Sequence, residues 1–323
     1  MTDPIRWGIL ATGGIAATFV TDLKFLPDAE VVAVGSRSDE AAEAFAGTHG
    51  IPRAYGSWQG LVDDPDVDVV YVATPHSAHV AATSMVLNAG KAALTEKPIA
   101  LDLAGATTLV ELSRARQVFL MEAMWTRFIP AVRHALDLVR DGAIGRVTGV
   151  HSDFGFPAPD DPTHRLHAKA LGGGATLDVG IYPVTIAHLF LGPPDEVRAW
   201  ADLGPQETDR NTAMVFGYAS GAVATLTCSL VGQTPTVAVI SGSEGFIELP
   251  AKFFMTRQAI LHRGDSVEVR EFPMDGAGYH LEAAEVHDCL RAGLFESPVM
   301  PHAETLSVMT TLDRVRAQIG VTY

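Results

Sequence analysis

The sequence predicts an α/β protein in two parts: a doubly wound parallel sheet, then a second α/β domain whose sheet is mostly antiparallel. Three observations carry this. Short apolar runs alternate with helical patterns over residues 6–123. One of them, "VDVVYVA" at 67–73, is apolar on successive residues, as a strand covered on both faces requires. From 196 to 272, strand patterns follow one another with short turns between them.

The elements follow in order. "RWGILA" (6–11) reads as a strand and 14–26 as a helix ending near Pro27. "EVVAVGS" (30–36) is a second strand, followed by a helix that opens at Ser38 and Asp39. After the run at 67–73 come a helix at 77–89, the strand "KAALT" (91–95), a helix at 101–116 and "VFLMEA" (118–123). Strands alternating with helices mean βαβ units. A helix at 129–141 marks the change of pattern, and "RVTGVHSDFGF" (146–156) alternates like a half-buried strand. Strands are expected at 196–202, 212–218, 222–230, 236–241, 245–249, 259–262 and 267–272, as an antiparallel meander. Helices at 279–292 and 303–319 close the chain, the last able to pack on either domain. The expected domains are 1–123 and 124–323.

Length agrees, since 323 residues at about 150 per domain suggest two. A hydrophobic fraction of 47% is ample for two cores. The formal charge of −15 argues against a nucleic-acid partner, because phosphate backbones need a basic face. It leaves room for a phosphorylated cofactor, which needs one or two local cations. Cys228 and Cys289 are too few and too far apart for a disulfide framework or a zinc site. "MTDPIRWGIL" lacks the pattern of a signal peptide, and no window approaches 18 uninterrupted apolar residues. A cytoplasmic protein that binds no membrane is expected.

The first strand-to-helix turn is "GILATGGIA" (8–16). Glycines at such a turn let the backbone approach a pyrophosphate, and the following helix start supplies N–H donors. Ala11, Thr12, Gly13, Gly14 and Ile15 are the expected cofactor contacts, although only the middle glycine of the usual fingerprint stands, in Ala11-x-Gly13-x-x-Ala16. At the end of the second strand an NAD enzyme would carry an acid for the ribose 2′-hydroxyl. Ser36, Arg37 and Ser38 stand there instead. They suit a 2′-phosphate, because a guanidinium binds phosphate through paired, charge-assisted bonds. NADP is favoured and NAD remains possible; the plain alternative is a solvated loop arginine.

"LTEKPIA" (94–100) ends an expected parallel strand in a charged pair followed by proline. Ligands of open α/β sheets bind at the carboxyl ends of strands. Lys97 is therefore expected to face the nicotinamide, with Glu96 beside it and "TPHSAH" (74–79) on the same edge.

"GILATGGIA", "ATPHSAH", "TEKP" and "GGGATLDVGIYP", in this order, resemble the glucose-fructose oxidoreductase, inositol dehydrogenase and rhizopine catabolism (Gfo/Idh/MocA) family. "EAMWTRF" (122–128), "AYGSW" (54–58) and the tyrosine of "DVGIYP" narrow the likeness to its dihydrodiol and xylose dehydrogenases. The resemblance implies a Rossmann domain and a C-terminal α/β domain whose open sheet serves dimerisation or a higher homo-oligomer. It also implies a catalytic Lys97 and places Thr74, Pro75 and His79 near the cofactor.

"LGGGATLDVGIYPVTIAHLFLG" (171–192) becomes helical after its glycines. Asp178 and Tyr182 are four apart and share a helix face, though Pro183 leaves open where the helix begins. A phenol titrates near 10 and needs a neighbouring cation to act as a base at neutral pH, a role open to Lys97. Asp178 is the third expected catalytic residue, able to orient the substrate hydroxyl or Lys97. The plain alternative makes Tyr182 a core residue and Asp178 a cap. Trp125, Phe154 and Phe156 read as core aromatics, but they fall where the resemblance places the substrate wall. Arg165 binds either a substrate hydroxyl or a loop carbonyl. His76 and His79 lack a third ligand, so no metal site is expected; His188, amid apolar residues, reads as packing.

The expected activity is NADP-dependent oxidation of a carbinol on a neutral ring with adjacent hydroxyls, an aldopyranose first and a trans-dihydrodiol second. A catalytically silent NADP-sensing regulator of the same fold is one alternative. An inositol-type NAD dehydrogenase is another, disfavoured by Ser36-Arg37 and by Tyr182 where such enzymes carry histidine.

Overall fold

The computed structural model describes residues 3–323. The chain forms two compact units. The first holds β1 (Ile5–Leu10), α1 (Gly14–Leu23), β2 (Ala29–Gly35), α2 (Asp39–His49), β3 (Arg53–Tyr55), α3 (Trp58–Val62), β4 (Val69–Val72), α4 (His79–Asn88), β5 (Ala92–Glu96), α5 (Leu103–Arg116) and β6 (Leu120–Ala123). Its six strands are parallel in the order β3-β2-β1-β4-β5-β6. Every residue of β4 and of β5 is buried, as the unbroken apolar run required. The strand order reverses between β2 and β4 on either side of β1, the place where a crevice opens in doubly wound sheets. The short β3 lacks an apolar run and escapes a reading by periodicity.

The second unit holds α6 (Pro130–Arg140), β7 (Val147–Gly155), α7 (Ile181–Leu191), β8 (Glu196–Leu203), β9 (Asp209–Gly217), β10 (Val223–Ser229), β11 (Ala238–Gly242), β12 (Phe246–Leu249), β13 (Gln258–Arg263) and β14 (Ser266–Glu271). Its eight strands run β14-β13-β12-β11-β7-β10-β9-β8. The expected single meander is corrected here: β7 is inserted between two antiparallel runs, and its pairing with β10 is parallel. α7 packs on β7, β10 and β11. The other side of the sheet stays open and carries exposed Trp200, Val215, Val223, Phe246, Val267 and Val269.

The domain boundary falls at Trp125/Thr126, and the second unit is not the continuous 124–323 segment expected. Residues 274–305, with α8 (Tyr279–Arg291), return to the first unit, where α8 packs on α1. α8 lacks a cap of its own, and the Asp22 carboxylate of α1 supplies one, accepting from the N–H groups of Ala277, Gly278 and Tyr279 at 2.8–3.1 Å. α9 (His302–Ile319) begins in the first unit and belongs to the second from Leu306. The stretch Lys169–Leu191 is long and apolar enough to cross a membrane, but 89% of its apolar window is buried inside the protein, as in a core helix.

Candidate active site

In the first unit, strand register lines up the carboxyl edge. Leu10 pairs with Gly35 on one side and Val72 on the other, and Val72 pairs with Thr95. The residues that follow, Ala11, Ser36, Thr74 and Lys97, therefore share one edge.

α1 starts at Gly14 with Gly13 as its cap residue, no side-chain cap and no acid in its first turn. A Cβ built on Gly13 or Gly14 would meet nothing within 4 Å. Open space in front of uncapped N–H donors fits a pyrophosphate. Ala11 holds φ at +100°, a conformation that favours glycine, while its N–H donates to Gly35 O at 2.9 Å. Ala11 is thus a strained substitute for the missing glycine of the fingerprint. At the end of β2, Ser36 is buried and Arg37 is exposed. The Ser38 hydroxyl is already engaged, accepting from Ala41 N as the cap of α2.

Thr74 is buried, and its hydroxyl has no partner among the described residues. His79 is fully buried, with Nδ1 2.7 Å from Pro98 O and Nε2 2.8 Å from Thr74 O. Burial pushes its pKa down to about 4, against the pull of the two carbonyls. The ring joins the turn after β4 to the turn after β5, so His79 supports the edge instead of presenting a group to a cofactor. Tyr71 Oη donates to Glu96 Oε1, and the Lys97 N–H donates to Glu96 Oε2 at 3.2 Å. Lys97 is half-buried, and the Lys97–Pro98 peptide is cis. Trp125 is buried and stacks on Tyr279 with centroids 4.2 Å apart and planes at 16°.

In the second unit, Asp178 lies in a π-helical turn, Thr176–Gly180, directly before α7. Tyr182 and Pro183 stand at the start of α7, which continues directly from that π-turn. The π-turn resolves the open question of the helix start; such turns recur at functional sites. It rests on a buried carboxyl: Asp209 Oδ2 accepts from Thr176 N at 2.7 Å, Thr176 Oγ1 at 2.6 Å and Thr212 Oγ1 at 2.7 Å. Gly174 passes so close that a Cβ would lie 2.5 Å from Asp209 Oδ1, and its φ of +128° also demands glycine. Arg165 Nη1 donates to Asp178 Oδ1 at 2.9 Å, a partner that sequence reasoning did not foresee for either residue.

Phe154 stacks on Phe254 with centroids 4.5 Å apart and planes 3° from parallel, and Tyr182 lies 5.3 and 5.5 Å from the two rings. Phe254 and Tyr279 were missed from sequence. The doublet "FF" at 253–254 and the tyrosine after Gly278 were the available signals, but a lone aromatic reads as core. His188, as expected, is a packing residue, buried and 2.9 Å from Thr311 Oγ1.

The uncapped glycine turn on a doubly wound sheet and the hydroxyl–guanidinium pair after β2 mark the class: a nicotinamide-dinucleotide oxidoreductase with a Rossmann domain. Comparison with known families agrees, residues 5–124 matching the oxidoreductase family with an NAD-binding Rossmann fold and 132–248 the GFO/IDH/MocA C-terminal domain. The chain belongs to the Gfo/Idh/MocA family and is an NAD(P)-dependent oxidoreductase acting on CH–OH groups. It is 36% identical over 333 residues to trans-1,2-dihydrobenzene-1,2-diol dehydrogenase of Danio rerio and 35% identical over 333 to that of Homo sapiens, covering 99% of this chain and 98% of each relative. Among solved structures it resembles the aldose-aldose oxidoreductase from Caulobacter crescentus complexed with glycerol, at 25% identity and a TM-score of 0.89 over 98% of this chain and 97% of that one. KijD10, a 3-ketoreductase from Actinomadura kijaniata in complex with NADP and TDP-benzene, is similar at 26% identity and a TM-score of 0.88 over 98% of both chains.

Proposed function

We propose that the protein is an NADP-dependent dehydrogenase of a neutral six-membered ring with adjacent hydroxyls, a trans-dihydrodiol before an aldopyranose. The observation that carries this is the Phe154–Phe254 stack beside Tyr182, an apolar wall next to one polar group. Full-length likeness to dihydrodiol dehydrogenases reverses the order expected from sequence, and the aldose-aldose oxidoreductase keeps the sugar in second place.

Tyr182, in the second unit, is the base for the carbinol proton in this reading, and Lys97, in the first, is the other residue on which turnover is expected to depend. A bound nicotinamide supplies the hydride acceptor. Asp178, paired with Arg165, holds the loop that precedes the glycine run, which leaves Arg165 a weaker candidate for direct substrate contact. With Ser38 spent on its helix cap, recognition of a 2′-phosphate falls to Ser36 and Arg37. The buried thiols Cys228 and Cys289 suit a reducing cytoplasm. The open sheet face, with Trp200 69% exposed among valines, suits a homodimer.

Steady-state assays with NADP and NAD across trans-dihydrodiols, aldoses and inositols test the substrate. Turnover confined to acyclic or phosphorylated substrates defeats the ring assignment. Arg37→Ala tests the cofactor: losing charge-assisted bonds worth about 1.5–3 kcal/mol should weaken NADP binding roughly tenfold or more and spare NAD. Equal affinity of the unaltered protein for both cofactors would sink the NADP preference.

A further inference from the structure

Three consecutive residues of the turn after β5 are each held at the backbone by a side chain. Lys97 N–H donates to Glu96 Oε2 at 3.2 Å, and Pro98 O lies 2.7 Å from His79 Nδ1. Ile99 N–H donates to Glu122 Oε1 at 3.0 Å, a bond buried at both ends, where water does not compete for it. Proline has no N–H, so the Ile99 group is the first backbone donor after the lysine. Glu96 is the chain neighbour of Lys97 and moves with it. His79, on α4, and Glu122, on β6, are the side chains that tie the turn to other elements. Glu122 opens the stretch "EAMWTRF" and stands opposite Thr95 of β5, two residues before the lysine. Its own position is fixed as well. Oε2 accepts from Thr305 Oγ1 of α9 at 3.0 Å, and α9 is held to β6 where His302 Nε2 lies 2.9 Å from Leu120 O. One carboxyl oxygen thus holds the lysine turn while the other is held by a helix moored to the same strand.

We propose that Glu122 is a positioning residue for Lys97: its carboxyl, clamped between Thr305 and the Ile99 N–H, fixes the far end of the turn and with it the direction in which the lysine leaves β5. The inference rests on the reading of Lys97 as catalytic. Glu122 acts through backbone two residues from the lysine, so its loss lowers kcat. It spares NADP binding, whose expected phosphate contacts lie at the start of α1 and after β2.

Glu122→Leu, Glu122→Gln, Thr305→Val and Lys97→Met test it in the full-length protein, with kcat, KM, the NADP dissociation constant and the melting temperature as readouts. In Glu122→Leu, kcat should fall on the order of 10- to 100-fold, the scale on which a lost ångström of alignment acts. Its KM and NADP affinity should stay within about threefold, the signature of a lost transition-state interaction. Glutamine keeps an acceptor for Ile99 N–H, and its amide can donate to the Thr305 hydroxyl, so Glu122→Gln should restore kcat to within about threefold. Thr305→Val frees only the outer oxygen and should lower kcat by about three- to tenfold, which serves if the leucine variant fails to fold. In a Lys97→Met background Glu122→Leu should lower kcat no further, because it acts only through the lysine. A lower melting temperature with kcat unchanged in Glu122→Leu, or in Thr305→Val where it stands in, would overturn the proposal. So would a glutamine variant as slow as the leucine one, or a leucine effect as large without Lys97 as with it. Near-normal turnover in Lys97→Met defeats the catalytic reading of the lysine itself. A slow Lys97→Met beside a normal Glu122→Leu defeats the positioning role alone.

Discussion

Lys97 and Tyr182 stand on turns of opposite construction. The lysine turn is held by side chains that grip neighbouring backbone: His79 faces the carbonyls of Thr74 and Pro98, and Glu96 accepts the Lys97 N–H. The tyrosine turn is held by backbone irregularity, a left-handed Gly174 and a π-turn seated on Asp209. Each arrangement over-determines one residue, by different means. Gripping side chains leave motifs such as "TPHSAH" and "TEKP", whereas a π-turn leaves only small residues and a distant acid.

The largest effect should separate the two turns by role. Lys97→Met and Tyr182→Phe should each lower turnover by about 10²–10⁴, the usual share of acid–base assistance, with NADP affinity nearly unchanged. If both serve one proton transfer, the double variant should be scarcely slower than the worse single one, because residues acting as a unit are far from additive. Stopped-flow measurement of hydride transfer checks this. Additive losses would mean that the two turns serve separate steps.

That contrast also explains what the sequence disclosed. The apolar runs at 67–73 and 91–95 revealed buried parallel strands, because such strands tolerate little polarity. The alternation in β9 and β10 revealed a sheet with one open face. The insertion of β7 was illegible, since periodicity shows which face of a strand is buried and not which strand lies beside it. The return of α8 was illegible for a similar reason: Asp22 caps it from 255 residues away, and a lone aspartate in a helix reads as surface. The Arg165–Asp178 pair, 13 residues apart, hid behind two sound local readings, a loop arginine and a helix cap.

A second, smaller effect should act on both units. His79 in the first and His188 in the second are buried neutral, each with its pKa lowered to about 4, chiefly by burial. An unfolded histidine titrates near 6.5, so below that pH the unfolded chain takes up protons that the folded one refuses. Stability should therefore be full above about pH 6.5 and fall progressively toward pH 4, by up to about 3 kcal/mol per histidine. Urea unfolding at stepped pH measures it. His188→Gln should remove the share that belongs to the second unit and leave that of the first, and an unchanged slope would contradict this account of His188.

The smallest effect returns to the cofactor turn. Ala11 sits at φ +100°, and a residue bearing a Cβ is strained there by roughly 1–2 kcal/mol. Glycine relieves that strain but adds freedom to the unfolded chain, which takes back about 0.4–1 kcal/mol. Ala11→Gly should therefore stabilise the protein by about 0.5–1 kcal/mol, the difference between the two, and raise the melting temperature by a degree or two. Its N–H bond to Gly35 is a backbone contact that glycine keeps, so the turn should hold its shape and NADP should bind at least as tightly. Calorimetry and cofactor titration of this one variant check both halves. A loss of stability would mean that Ala11 relaxes out of the left-handed region in solution. The first unit would then tolerate its alanine by local rearrangement, and the phosphate turn would have the backbone adaptability that Gly174, pressed against Asp209, is denied in the second.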